Sequence, residues 1–253
     1  MTLFHALLVL HVATGAIGLL TMWVPLVGRK GGPAHKRWGR VFAWCIMATA
    51  TFAVGMSLLT LADPAGTHPK IADLALIRCL FGWMMLHLSV FTVLLAWFGL
   101  ETIRNRREHA GHRNVVTIAL QAATLVTGFA CAWFGWRDGF PLMIAIVPLG
   151  VVTVALQARF ILAAEPARND WQIQHMRALV GAGVSVYTAF FSFGAANTFP
   201  EIAFNPVLWA APTIAGCAVI AYHQRRLAGR VAGARVPGEA EASVSAAARG
   251  RRS

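Results

Sequence analysis

Long apolar stretches separated by short polar breaks dominate the chain. A helix that crosses a lipid bilayer needs about 20 mostly apolar residues. Seven stretches meet or approach that length, and the last is the shortest: Leu3–Val27, Val41–Ala62, Leu74–Leu100, Val115–Trp136, Phe140–Phe160, Ala178–Phe199 and Phe204–Tyr222. None alternates strictly between apolar and polar residues as a strand would. The pattern therefore predicts an all-α integral membrane bundle of about seven transmembrane helices.

The composition agrees with a bilayer environment. Hydrophobic residues make up 57% of the chain and charged residues only 13%, whereas a typical globular domain carries about 25% charged residues. Too few polar residues remain to cover a water-facing surface, so we expect the lipid bilayer to surround the chain. The net charge of +12 does not indicate nucleic-acid binding, because the basic residues lie in clusters between apolar stretches.

Basic residues are distributed unevenly among the predicted connections. Of the 22 Lys and Arg residues, 19 belong to one set of alternate connections or to the C-terminal segment, and the other side has only Lys70, Arg78 and Arg137. Because cytoplasmic loops are enriched in Lys and Arg, the N-terminus is expected outside and the C-terminus in the cytoplasm. We expect residues 1–223 to form the helical domain and residues 224–253 a disordered basic tail.

Two histidines lie deep in predicted helices. His11 shares one face of the first helix with Gly15 and Gly18, and His87 lies near the middle of the third. Counting roughly 1.5 Å per residue from the cytoplasmic ends places both imidazoles at a similar depth. Two imidazoles at one depth, with glycines beside them that leave space for a flat ligand, are the minimum for bis-histidine ligation of haem b. A hydrogen bond to a neighbouring helix is the more common role, and contact with a proton or substrate is a third.

Further histidines lie near the predicted cytoplasmic side. His35, His112 and His175 lie at or just before the starts of the second, fourth and sixth predicted helices. If those helices are neighbours, the three imidazoles converge on a zinc site with an open position. The same helix starts also favour an anionic lipid headgroup. A third interpretation is that histidine is simply common in basic interfacial loops.

Small and polar residues recur at helical spacing on several predicted helices. Residues 117, 121, 124 and 128 share one face of the fourth helix, and residues 181, 185, 188 and 192 share one face of the sixth. Helix packing in lipid is the simplest explanation. A cavity between the first, fourth, fifth and sixth helices is the alternative. A small molecule or a quinone would then contact Gly15, Gly18, Gln121, Ser185 and Thr188.

Three short motifs cover much of the chain: Leu10-His11…Gly15, then Arg29-Lys30-Gly31-Gly32…His35-Lys36-Arg37…Gly39-Arg40-Val41, then His175-Met176…Gly181…Thr188-Ala189-Phe190. Together they resemble the domain-of-unknown-function 2306 family of predicted bacterial membrane proteins. The resemblance implies a multipass protein of a bacterial inner membrane with no established reaction. It also implies that His11, His35 and His175 matter more than His87, which has no place in these motifs.

The sequence leaves three classes of function open. These are a haem b electron carrier, a metal- or lipid-binding protein or enzyme at the cytoplasmic side, and a transporter or small-ligand-binding protein. The chain contains no dinucleotide fingerprint, P-loop, nucleophile elbow or HExxH helix. The polar stripes favour transport or small-ligand binding, and whether the chain is an enzyme stays open.

Overall fold

The computed structural model describes residues 2–167, 169–194, 207 and 209–226. Within these residues the chain is all-α and contains no strand. Six helices are long and apolar enough to cross a membrane: α1 Leu3–Val27, α2 Pro33–Ala62, α3 Leu74–Arg104, α4 Val115–Asp138, α5 Pro141–Leu162 and α6 Asp170–Phe193. The helical class expected from the sequence is therefore confirmed, and six such helices indicate a multipass membrane protein.

Two helices begin earlier than the apolar stretches predict. α2 begins at Pro33 and α6 at Asp170, eight residues before the predicted starts at Val41 and Ala178. Pro33 favours an early start because a proline at the first helical position has its backbone torsion already set and lacks only an N–H that would be unpaired. The early starts place His35 and His175 inside helices.

α3 is the central helix of the described bundle. About two thirds of its most apolar stretch (67%) is buried, against 11–28% in the other five helices. It packs against α2, α4 and α6, whereas α1 packs mainly against α2. A π-helical segment, Ile77–Met84, lies in its first half. Such segments widen the helix and turn the following side chains relative to an α-helix.

α4 and α5 form a tight antiparallel hairpin. Gly139 ends α4 with a positive φ of 78°, a conformation that costs glycine little. α5 then begins at Pro141. The two helices approach closely at Gly135, where a β-carbon would lie 2.6 Å from the Cβ of Met143. Beyond their contact with each other, α4 and α5 meet the rest of the described chain mainly through α3.

The surface of α4 is apolar outside and polar inside. Thr117 and Thr124 are buried, whereas Val126 and Phe129 are 67% and 64% exposed. This distribution is the reverse of a helix at a water-facing surface. It is the arrangement expected where lipid surrounds a bundle and the polar groups satisfy one another inside.

A further helix, α7 (residues 209–226), packs on α6. The Trp209 and Phe193 rings lie 5.5 Å apart at one end, and the guanidinium of Arg177 faces the amide of Gln224 near the other. The two helices are therefore antiparallel. The predicted tail boundary at residue 224 falls within α7, and residues 227–253 lie outside the described part of the chain.

Candidate functional site

A continuous buried face runs along α4. Its members recur every three or four residues, and each is small or polar: Thr117, Gln121, Thr124, Gly128, Cys131 and Gly135. This face packs against α3 and α5. The polar side chains where the three helices meet are called the seam below; they are His87, Thr117, Gln121, Thr124, Thr127 and Gln157.

One end of the seam is closed by a buried carboxylate. Glu101, in the last turn of α3, is only 6% exposed. Its Oε2 atom accepts hydrogen bonds from the amides of Asn105 at 2.9 Å and Asn114 at 3.1 Å. Asn114 is also the N-cap of α4, because its Oδ1 accepts from the backbone N–H of Thr117 at 2.9 Å. Glu101 therefore ties the end of α3 to the start of α4.

The next two levels of the seam are joined by side-chain hydrogen bonds. The indole of Trp97 on α3 donates to Thr117 Oγ1 at 3.1 Å. One turn further along α4, Gln121 Nε2 donates to Gln157 Oε1 on α5 at 3.2 Å. Both glutamines are buried. An unpaired amide inside a membrane is costly, so this pair holds α4 and α5 in one register.

His87 lies at the end of the seam opposite Glu101, beside Thr127. It is 1% exposed, and its ring fits between two glycines on different helices. A β-carbon on Gly128 of α4 would lie 3.0 Å from its Cε1 atom, and one on Gly150 of α5 would lie 3.2 Å from the same atom. A methyl group at either position would press on the imidazole, so glycine is the residue that best fits this close approach of three helices.

The hydrogen bonds of His87 indicate which ring nitrogen carries the proton. Its Nδ1 lies 3.3 Å from Thr127 Oγ1. That hydroxyl can donate its own hydrogen to the carbonyl of Ala123 at 2.8 Å or of Thr124 at 3.3 Å, which favours the tautomer in which Nδ1–H donates to it. Nε2 of the neutral ring is then an acceptor. This Nε2 is buried and has no hydrogen-bond partner in the described part of the chain.

The other predicted haem ligand faces a different interface. His11 Nδ1 donates to the carbonyl of Thr49 on α2 at 2.9 Å. The predicted companions of His11 also face α2: a β-carbon on Gly15 would contact Thr49 at 3.4 Å, and one on Gly18 would clash with Ile46 at 2.4 Å. The imidazoles of His11 and His87 thus belong to separate helix contacts, and bis-histidine ligation of haem gains no support.

The predicted metal ligands are separated in a similar way. His35 and His175 are electrostatic neighbours, and their Nδ1 atoms donate to the carbonyls of Pro25 and Gly99 at 3.1 and 2.8 Å. His112 instead packs on His109, with ring centroids 5.4 Å apart. Burial and the neighbouring His109 lower the pKa of His112 to about 4. Within the described residues, no three His, Cys, Asp or Glu side chains form a group able to hold a metal ion.

Of the two predicted ligand residues on α6, Ser185 contacts α3. Ser185 Oγ lies 2.5 Å from Thr92 Oγ1. Thr188 Oγ1 is buried and has no hydrogen-bond partner among the residues that the structure describes. Gln121 belongs to the α4–α5 contact, and Gly15 and Gly18 to the α1–α2 contact. Four of the five predicted residues therefore lie at three different interfaces, because α3 occupies the centre of the predicted cavity.

Sequence reasoning missed two members of this region. Glu101 follows the apolar part of α3 and has basic neighbours in the chain, so it resembles an ordinary loop residue. Its position inside the last turn of α3 is the signal that would have identified it, since acids near the end of a span are uncommon. Thr127 was missed because it lies one position beside the stripe of α4.

Comparisons of the chain with protein-family models, with curated proteins and with solved structures found no match. The family resemblance drawn from the short motifs therefore stays a prediction. The functional argument depends on the geometry of the seam.

Proposed function

We propose that this chain is a transport protein that passes a small hydrogen-bond-donating solute along the seam. In this proposal the Nε2 lone pair of His87 is the acceptor that the solute meets in mid-membrane. The single observation that carries the proposal is the Nε2 atom of His87, which is buried beside Gly128 and Gly150 and has no hydrogen-bond partner among the residues that the structure describes.

The cost of placing such a group in lipid supports a functional role. Ionisable side chains within spans are expensive and usually mark substrate or proton pathways. One ring nitrogen of His11 donates a hydrogen bond to the carbonyl of Thr49, and the side chain of His11 is half-buried. His87 is fully buried, and one of its two ring nitrogens has no partner within the described residues. A packing role alone would be met as well by an apolar ring without this cost.

The seam also extends along a large part of the membrane. From Asn114 to Thr127 the α4 helix rises roughly 20 Å, at about 1.5 Å per residue. Along this distance polar side chains occur at each turn, from the Glu101 cluster through Gln121 and Gln157 to His87. Successive partners at these intervals would replace the hydration of a small solute step by step.

Opening of the seam is assigned to movement of the α4–α5 hairpin. The seam is closed by direct packing, so a solute passes only if the hairpin separates from α3. The hairpin meets the rest of the described chain mainly through α3, which favours rocking as one body. Pro148 lies inside α5 two residues before Gly150, and a proline within a helix weakens it locally.

The proposal includes the finer topology expected from the sequence. α7 is taken as a seventh span, with the N-terminus outside and the C-terminus in the cytoplasm of a bacterial inner membrane. The uneven distribution of basic residues and the antiparallel packing of α7 on α6 support this assignment. The Glu101 end of the seam then faces the cytoplasm.

The test is a flux assay with the purified full chain in liposomes. The probes are protons, followed with a trapped pH dye, and methylammonium and urea, followed by light scattering. We expect at least one probe to cross faster than in empty liposomes, and we expect His87→Ala to change that rate at least fivefold. His11→Ala is the matched control, since it removes an intramembrane imidazole outside the seam. If no probe exceeds empty liposomes, or both variants behave alike, the proposal is wrong.

A further inference from the structure

A groove runs along the exposed side of α2 at its N-terminal end and shares no residue with the seam. Its volume is about 670 Å³. Seven of the described residues line it, all of them within the first four turns of one helix: Pro33, Lys36, Arg37, Arg40, Val41, Trp44 and Cys45. They follow one another at helical spacing, so the groove lies parallel to the helix axis.

The two halves of the groove differ in chemistry. The half nearer the start of α2 is bordered by the cations of Lys36, Arg37 and Arg40. The other half is apolar, and its indole, Trp44, is 56% exposed. No acidic side chain of the described residues lines the groove. Neither ion pair of the described residues involves any of the three cations, so their charge is uncompensated by the described part of the chain.

The start of α2 adds to the positive potential. Gly32 is its N-cap and provides no side-chain cap for the free backbone N–H groups of the first turn. The positive end of the helix dipole therefore faces the same region as the three cations. The three cations and the helix dipole both attract an anion to the half of the groove nearer the start of α2.

The length of α2 places this change of chemistry at the membrane boundary. The helix has 30 residues, whereas about 20 are enough to cross the hydrocarbon core. Its first turns therefore extend into the headgroup layer. From Lys36 to Trp44 the helix rises roughly 12 Å. The cations thus lie at the level of the lipid headgroups, and the indole lies at the level of the acyl-chain segments next to the headgroups.

We propose that this groove binds one anionic phospholipid. Its phosphate lies among Lys36, Arg37 and Arg40, and one acyl chain lies along Val41 and Trp44. A phospholipid has the same polarity along its axis as the groove, and the surplus of positive charge selects an anionic headgroup over a neutral one. This site is independent of the proposed transport seam.

The experiment uses the purified full chain and native mass spectrometry in detergent with equal amounts of phosphatidylglycerol and phosphatidylcholine. The wild-type protein is expected to retain one molecule of phosphatidylglycerol in preference to phosphatidylcholine. In Lys36→Gln/Arg40→Gln the apparent affinity for it is expected to fall about 25-fold, since each basic residue near an anionic headgroup contributes about fivefold. Arg106→Gln/Arg107→Gln is the matched control, because it removes the same charge from another exposed segment and is expected to bind as wild type does.

A second variant separates lipid binding from loss of structure. Trp44→Ala keeps all three cations, and it is expected to weaken retention of phosphatidylglycerol while leaving helix content by circular dichroism unchanged. The proposal is overturned if the groove variant keeps its phosphatidylglycerol or if the control loses it equally. It is also overturned if wild type is a dimer that the groove variant dissociates, since a second copy of the chain would then be the occupant.

Discussion

The Cε1 atom of His87 lies 3.0 Å from the position that a β-carbon on Gly128 would occupy, and 3.2 Å from the corresponding position on Gly150. Three transmembrane helices thus meet around one imidazole, and the size of that ring sets how closely they approach. Stability and the proposed transport therefore depend on the same contact, and this dependence can be tested with substitutions that alter only volume.

Gly128→Ala is expected to destabilise the protein by about 1–3 kcal/mol, because it overfills a packed contact. Adding His87→Ala should recover part of that loss, since removal of the ring frees the space that the new methyl group needs. Thermal unfolding in detergent measures both effects. Gly39→Ala is the control, because its β-carbon would lie at an ordinary 3.6 Å from Pro25. If Gly128→Ala costs as much stability in the His87→Ala protein as in the wild type, the contact between Gly128 and His87 is not the cause of the loss.

Gln121→Leu is expected to cost about 0.5–2 kcal/mol, because it leaves the amide of Gln157 buried without its partner. The double variant Gln121→Leu/Gln157→Leu should be more stable than the sum of the single variants predicts, since neither amide then remains to be satisfied. Denaturant unfolding of the four proteins in detergent gives the coupling energy. A coupling near zero would mean that the 3.2 Å hydrogen bond contributes nothing to the association of α4 and α5.

His112 is expected to make stability depend on pH. Its pKa is lowered to about 4 in the folded protein, against about 6.5 in an unfolded chain. The unfolded state therefore takes up a proton first as the pH falls. Stability should be fully present above about pH 6.5 and should decline towards pH 4, by up to about 3 kcal/mol.

Unfolding of the wild type and of His112→Gln between pH 4 and pH 8 measures this dependence. The variant should show a smaller loss over the same range, because it lacks the buried imidazole. If both proteins lose stability in parallel, other groups are responsible for the effect.

Reporter fusions test the proposed topology. A fusion after residue 166 and another after residue 226 should both report the cytoplasm, and a fusion after Lys70 should report the outside. The physical reason is that basic connections are retained on the cytoplasmic side during insertion. Opposite locations for the fusions after residues 166 and 226 would exclude α6 and α7 as consecutive spans.

The sequence alone determined where the chain enters and leaves the apolar phase. Because the hydrophobic requirement of a span is local, the run Leu3–Val27 coincides with α1, and α3 begins at the predicted Leu74. The buried face of α4 could also be predicted, since spacing along one helix determines which residues share a face. Residues 117, 121, 124 and 128 are indeed buried together. The early starts of α2 and α6 were missed because hydropathy does not register helical turns outside the hydrocarbon core.

Only the tertiary structure decided which faces meet. Depth along parallel helices suggested that His11 and His87 lie at one level, yet depth carries no information about lateral position. The central place of α3 directs His11 towards Thr49 and encloses His87 between Gly128 and Gly150. Among the described residues, His112, His35 and His175 do not come together as a group that could hold a metal ion. Helix neighbours in lipid are chosen by close packing of small residues across the whole bundle, and no local stretch of sequence contains that information.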